Sequence, residues 1–87
     1  MHESGLMRGV VRDLERLAQA NNSSRIVAVA LQIRDSGKYP GEHFVEHLHA
    51  VAAGTVIEGA QIAVDLVEDP QHLGQPQITI KHIEVPA

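Results

Sequence analysis

The chain has 87 residues, of which 44% are hydrophobic and 21% charged, with a formal net charge of −4 and a pI near 5.8. A chain of this length makes one domain that buries roughly 60–65% of its unfolded surface, enough for a core but not for a deep, walled cleft. One Phe, one Tyr and no Trp argue against base stacking on nucleic acid, the acidic balance argues against a phosphate-binding basic patch, and the lack of cysteine excludes disulfides, thiolate catalysis, iron–sulfur clusters and Cys-ligated zinc.

The first predicted element is a helix. Ser4 is placed to cap it, and Glu3 favours the positive end of its dipole. Leu6, Met7, Val10, Val11, Leu14, Leu17 and Ala18 recur at helical spacing, with Arg8, Arg12, Asp13, Glu15 and Arg16 opposite. Asn21-Asn22-Ser23-Ser24 ends the helix, because short polar side chains compete for its backbone hydrogen bonds. A strand follows, in which Val27, Val29, Leu31 and Ile33 alternate with the smaller face of Ala28, Ala30 and Gln32. After the Asp35–Lys38 loop, Pro40 suits the first turn of a second helix. Phe44, Leu48 and Val51, flanked by Val45 and Ala52, form its apolar stripe, and Gly54 stands where a C-terminal glycine belongs.

Glu58-Gly59 reads as a turn into a second strand, where Ile62, Val64 and Leu66 alternate with Gln61, Ala63 and Asp65. The stretch 68–76, with two prolines and a glycine, is a loop. Ile78 and Ile80 open the last strand, and Ile83 and Val85 continue it on the opposite parity, which predicts a bulge near Lys81-His82. The expected class is α/β: two helices on one face of a three-stranded mixed sheet, in the order α-β-α-β-β, as a single domain over 1–87. The strand–helix–strand crossover makes the first two strands parallel, and the short loop predicts that the last two pair antiparallel as a hairpin. The other sheet face, with Ala28, Ala30 and Ala63, or a sheet edge is expected to meet a protein partner. Met1 to Arg8 lacks the basic and apolar segments of a signal peptide, and no apolar run approaches the ~20 residues of a membrane span. A soluble, cytoplasmic protein is expected.

The chemistry concentrates in six histidines: His2, His43, His47, His49, His72 and His82. A bulky histidine at position 2 hinders removal of the initiator methionine, so Met1 is expected to be the mature terminus. A free α-amine, whose reference pKa is about 8, then shares one chelate with a backbone amide nitrogen and the His2 imidazole. An all-nitrogen set of this kind suits square-planar Cu(II) or Ni(II) better than Zn(II). It leaves a fourth position open, for which His72 and His82 are the additional candidates. Separately, His43-Phe44-Val45-Glu46-His47 matches the H-x-x-E-H pattern of inverted zinc peptidases. Such an enzyme needs a third protein ligand and a substrate groove, which this length does not readily supply. An amphipathic helix with a polar face rich in His and Glu is the expected reading. No catalytic residues are assigned, and an enzyme is not expected.

Three stretches together resemble one family. Met-His-Glu-Ser-Gly-Leu-Met-Arg-Gly-Val-Val at the start is similar to the MHE-x-x-[LI]-x-x-x-[IV] opening of the HypA hydrogenase and urease nickel-incorporation proteins. Gly54-Thr55-Val56-Ile57-Glu58-Gly59-Ala60 resembles that family's G-T-x-x-E-G-A stretch, and Ile80-Lys81-His82-Ile83-Glu84-Val85 its closing I-x-x-I-E-V strand. The resemblance spans essentially the whole chain and implies a metallochaperone that binds Ni(II) through Met1, His2 and Glu3. It implies His2 as a ring-nitrogen ligand, the first backbone nitrogens alongside, and Glu3 acting through its backbone or by orienting the chelate. A HypB-type GTPase and a hydrogenase precursor are the implied partners, and a homodimer is a further candidate. The chain departs from the family where two C-x-x-C pairs normally form a zinc module: only Asp69-Pro-Gln-His-Leu-Gly-Gln-Pro76 stands there, so no structural zinc is expected. Ile33-Arg34-Asp35-Ser36-Gly37 also differs from the family's I-G-E-L-S-G. A domain that kept the fold and partner surface but no longer moves nickel is the alternative, and a zinc hydrolase through His43, Glu46 and His47 a remote one.

Overall fold

The computed structural model describes residues 3–37 and 41–87. Met1, His2 and Pro40, on which some of the expectations fall, lie outside them. Five elements follow in the expected order: α1 (Glu3–Ala20), β1 (Ala28–Asp35), α2 (Gly41–Ala52), β2 (Gln61–Glu68) and β3 (Gln77–Glu84). The helix starts at Glu3, so Ser4 is its second residue and not its cap. An acidic residue in the first turn suits the positive end of the helix dipole.

At the other end of α1, the Ser23 N–H donates to the Ala18 carbonyl at 2.9 Å and the Asn22 N–H to that of Gln19 at 3.0 Å. Asn22 takes a φ of 54°. This is a Schellman cap, with asparagine in the left-handed conformation that its short side chain tolerates better than most.

The core is one aliphatic cluster around a single aromatic ring. Met7, Val10, Val11, Leu14 and Ala18 from α1 meet Phe44, Leu48 and Ala52 from α2 over Val29, Leu31 and Ile33 of β1, and Ile26, Ile57 and Ala60 close the edge. Among the described residues no polar or charged side chain is buried. Two stripe positions differ from expectation: Leu17 is 36% exposed and Val51 39%. The buried rows end as Leu14–Ala18 on α1 and Phe44–Leu48–Ala52 on α2, each closing on a small alanine. Leu17 and Val51 fall on the flank.

The sheet has the order β2-β1-β3. β1 and β2 are parallel, as the crossover requires, with Val29 beside Ile62, Leu31 beside Val64 and Ile33 beside Leu66. The predicted hairpin is not formed. β3 pairs antiparallel with β1, not with β2, so Ile83, Ile80 and Ile78 lie beside Val29, Leu31 and Ile33. The physical reason is coverage. β1 is apolar on one face and small on the other, so a central place satisfies both its edges and buries its whole inner row. The loop 69–76 is long enough to cross β1, a step of about 10 Å between strands two apart. It is fastened there by the Asp69 N–H donating to the Asp35 carbonyl at 2.7 Å and by Arg34 Nη1 lying 3.5 Å from Asp69 Oδ2. β2 becomes an edge strand, and Leu66 near its end is 56% exposed.

The predicted bulge is present. The register shifts between Ala30 and Leu31, whose partners are His82 and Ile80, which leaves Lys81 without an opposite residue. That extra residue returns Ile83 and Val85 to the helix-covered face, where they pack against the core. Deletion of Lys81 is therefore expected to leave Ile78, Ile80, Ile83 and Val85 on one face, now in plain alternation and in the same register against β1. The urea midpoint should change little. A collapse of the midpoint would mean that the bulge does more than correct the parity of the strand.

Candidate metal centre

The residues that resemble family motifs have assignable local work. Gly54 takes a φ of 78° just after α2 and Gly59 one of 75° just before β2, left-handed positions that glycine occupies without steric cost. The Thr55 hydroxyl donates to the Ala52 carbonyl at 2.7 Å and accepts the Ile57 N–H at 3.3 Å. The Glu58 carboxylate accepts the Gly54 N–H. Ala60 is buried as the chain enters β2, and the Val56 carbonyl takes the Ile26 N–H at 2.8 Å, tying this turn to the start of β1. The Gly54–Ala60 stretch is thus a folding device that ends α2, turns the chain and launches β2. The closing strand is likewise accounted for by its bulge and inner row.

Met1 and His2 lie outside the described residues, and Glu3 is the first residue of α1. The rest of the domain shows toward which end α1 begins. Arg8, Val11, Arg12 and Glu15 line one shallow groove with Val51 and Thr55, and Arg16 and Gln19 line another with Ser23 and Val56. α1 and α2 therefore run in the same direction, both against β1. The first turn of α1 lies toward the end of the domain where β1 finishes, which is also where Asp69 fastens the 69–76 loop.

His72 belongs to that loop. Its backbone N–H donates to the Asp69 carbonyl at 2.9 Å, and its ring Nε2 is 2.7 Å from the Gln75 carbonyl oxygen. A carbonyl only accepts, so Nε2 carries the proton and Nδ1 of the neutral ring keeps the lone pair. A backbone carbonyl holding one nitrogen while the other is offered to a metal is the usual arrangement around a ligating histidine. His82 is elsewhere. It stands opposite Ala30 on the face of the sheet away from the helices, with Nε2 3.8 Å from Glu84 Oε2 and its side chain 64% exposed. The structure does not bring His72 and His82 together.

His43, Glu46, His47 and His49 are all exposed on α2. The rings of His43 and His47 meet edge to face with centroids 5.7 Å apart. Among the described residues no group of three or more His, Cys, Asp or Glu is placed to hold a metal ion, so the H-x-x-E-H pair has no third protein ligand there. The H-x-x-E-H spacing already places His43 and His47 one turn apart; the contact of their rings is set by the helix that carries them.

The outer sheet face bears a shallow groove lined by Ala28, Ala30, Ala63, His82 and Glu84. Among the described residues no helix is long and apolar enough to cross a membrane. No protein-family model matches the chain, and no curated protein matches it.

Proposed function

We propose that the chain is a HypA-like nickel metallochaperone, taking Ni(II) as cargo at Met1-His2-Glu3 and delivering it to a hydrogenase precursor or another nickel enzyme with the help of a HypB-type GTPase. What carries this reading is the occurrence of the three resembling stretches in order along the chain, with the chelating donors concentrated in Met1-His2-Glu3. With a free amine at Met1, the amine, the first backbone nitrogens and the His2 ring form fused chelate rings around one square-planar ion. His72, turned so that Nδ1 holds its lone pair, is the side chain best prepared to add a donor, because its loop shares the end of the domain toward which α1 begins. The ligands lose protons on binding, so affinity rises with pH.

Addition of Ni(II) to untagged protein is expected to give a diamagnetic, square-planar absorption band at one ion per chain that strengthens as pH increases. A paramagnetic, octahedral spectrum with no pH dependence would overturn the assignment. The small-residue groove at Ala28, Ala30 and Ala63 favours a second reading, an adaptor that binds its partner without carrying nickel. Capture of the GTPase or the precursor by metal-free protein, with no band on nickel addition, would select it.

A further inference from the structure

Beyond the amino terminus, three of the six histidines, His43, His47 and His49, stand on α2. We infer that His43 and His47 form a second, independent metal site: a bidentate imidazole chelate for a divalent late transition-metal ion, exposed and with its remaining positions filled by water. The spacing i, i+4 sets two side chains one above the other on a helix, and two histidines at this spacing are a common way for a helix to grip such an ion. The distances agree. A metal about 2.1 Å from one nitrogen of each ring holds the two ring centres roughly 4.6–5.3 Å apart when the ligands are at or near right angles. The centroids here are 5.7 Å apart and the planes 75° to one another, so small side-chain rotations close the chelate without disturbing the backbone.

The backbone is held for it. Phe44 and Leu48, each next in sequence to one of the pair, are both 0% exposed, which fixes this face of α2 toward solvent. Much of the entropy of positioning two ligands is therefore met by the fold. No third His, Cys, Asp or Glu joins the pair among the described residues, and this sets its character. Two neutral imidazoles and water bind Ni(II), Cu(II) or Zn(II) but release it readily, as a loading or exchange site does and a structural site does not.

The inference does not rest on the amino-terminal chelate, and the experiment keeps them apart. A Gly-Ser-Gly-Ser extension before Met1 removes the amine from the His2 chelate; a single added residue is avoided because a histidine in third place also chelates nickel. Ni(II) titrated into this extended chain by calorimetry is expected to bind at one ion per chain. His43→Gln and His47→Gln should each weaken it roughly tenfold, since each leaves one donor and forfeits the effective concentration of the second. His49→Gln, on the same helix, should leave it unchanged. Both substituted side chains are exposed, so far-ultraviolet circular dichroism should match the parent and exclude misfolding. Equal nickel binding in the His43→Gln/His47→Gln double variant, or an equal loss from His49→Gln, overturns the site.

Discussion

His2→Ala is expected to lower nickel affinity by roughly 10²–10⁴-fold, the margin by which linked donors exceed isolated ones, and to abolish the square-planar band. That loss corresponds to about 3–5 kcal/mol of binding free energy. The reason is chelation: the His2 ring closes a ring that the amine and first amide nitrogens begin, and without it the ion keeps a short, floppy pair of donors that water displaces. Acetylation of the Met1 amine should have a comparable effect for the same reason. The variant should fold as well as the parent, because the core residues of α1 begin at Met7. Band position and intensity in nickel titrations of the three proteins decide the matter. A His2→Ala protein that retains the band would remove the amino terminus from consideration, whatever α2 binds.

Phe44→Ala is expected to be the most damaging single change to the fold. Phe44 is fully buried and is the largest side chain in the core, where it joins α2 to α1 and the sheet. Truncating such a ring costs about 3–5 kcal/mol, part from lost burial and part from the cavity that surrounding side chains cannot fill. A domain of this size has a total stability of only about 4–13 kcal/mol. The urea midpoint should therefore fall by roughly 2–4 M, or the folded baseline should vanish. Leu73→Ala is the control. Leu73 is 90% exposed, and its loss should change stability by no more than about 0.5 kcal/mol. If Phe44→Ala cost no more than that control, α2 would not be packed as described.

These predictions differ in how early they become visible. The five elements are legible because each has the period its geometry demands: steps of three and four in α1 and α2, alternation in β1 and β2, and a parity break in β3 that betrays its bulge. The signals that misled are local ones. Ser4 resembles a cap, yet the helix starts at Glu3. Val51 and Leu17 fit an apolar stripe, yet burial follows the rows that end in Ala52 and Ala18, since exposure depends on how closely two helices approach a sheet. The 69–76 loop looks like a hairpin because its two ends are near in sequence.

The sequence by itself determined the elements, their order, the parallel pairing of β1 with β2 and the aliphatic core. Each of these follows from residue type and spacing along a few neighbouring turns. Only the tertiary structure decided that β3 lies against β1, that the His72 ring is held by the Gln75 carbonyl at the end where α1 starts, that His82 stands on the opposite face of the sheet, and that the His43 and His47 rings touch. All four depend on which segments far apart in sequence share a surface, or on how a side chain turns once its helix is anchored. They are set by burial and hydrogen bonding across the whole domain, which local spacing does not encode.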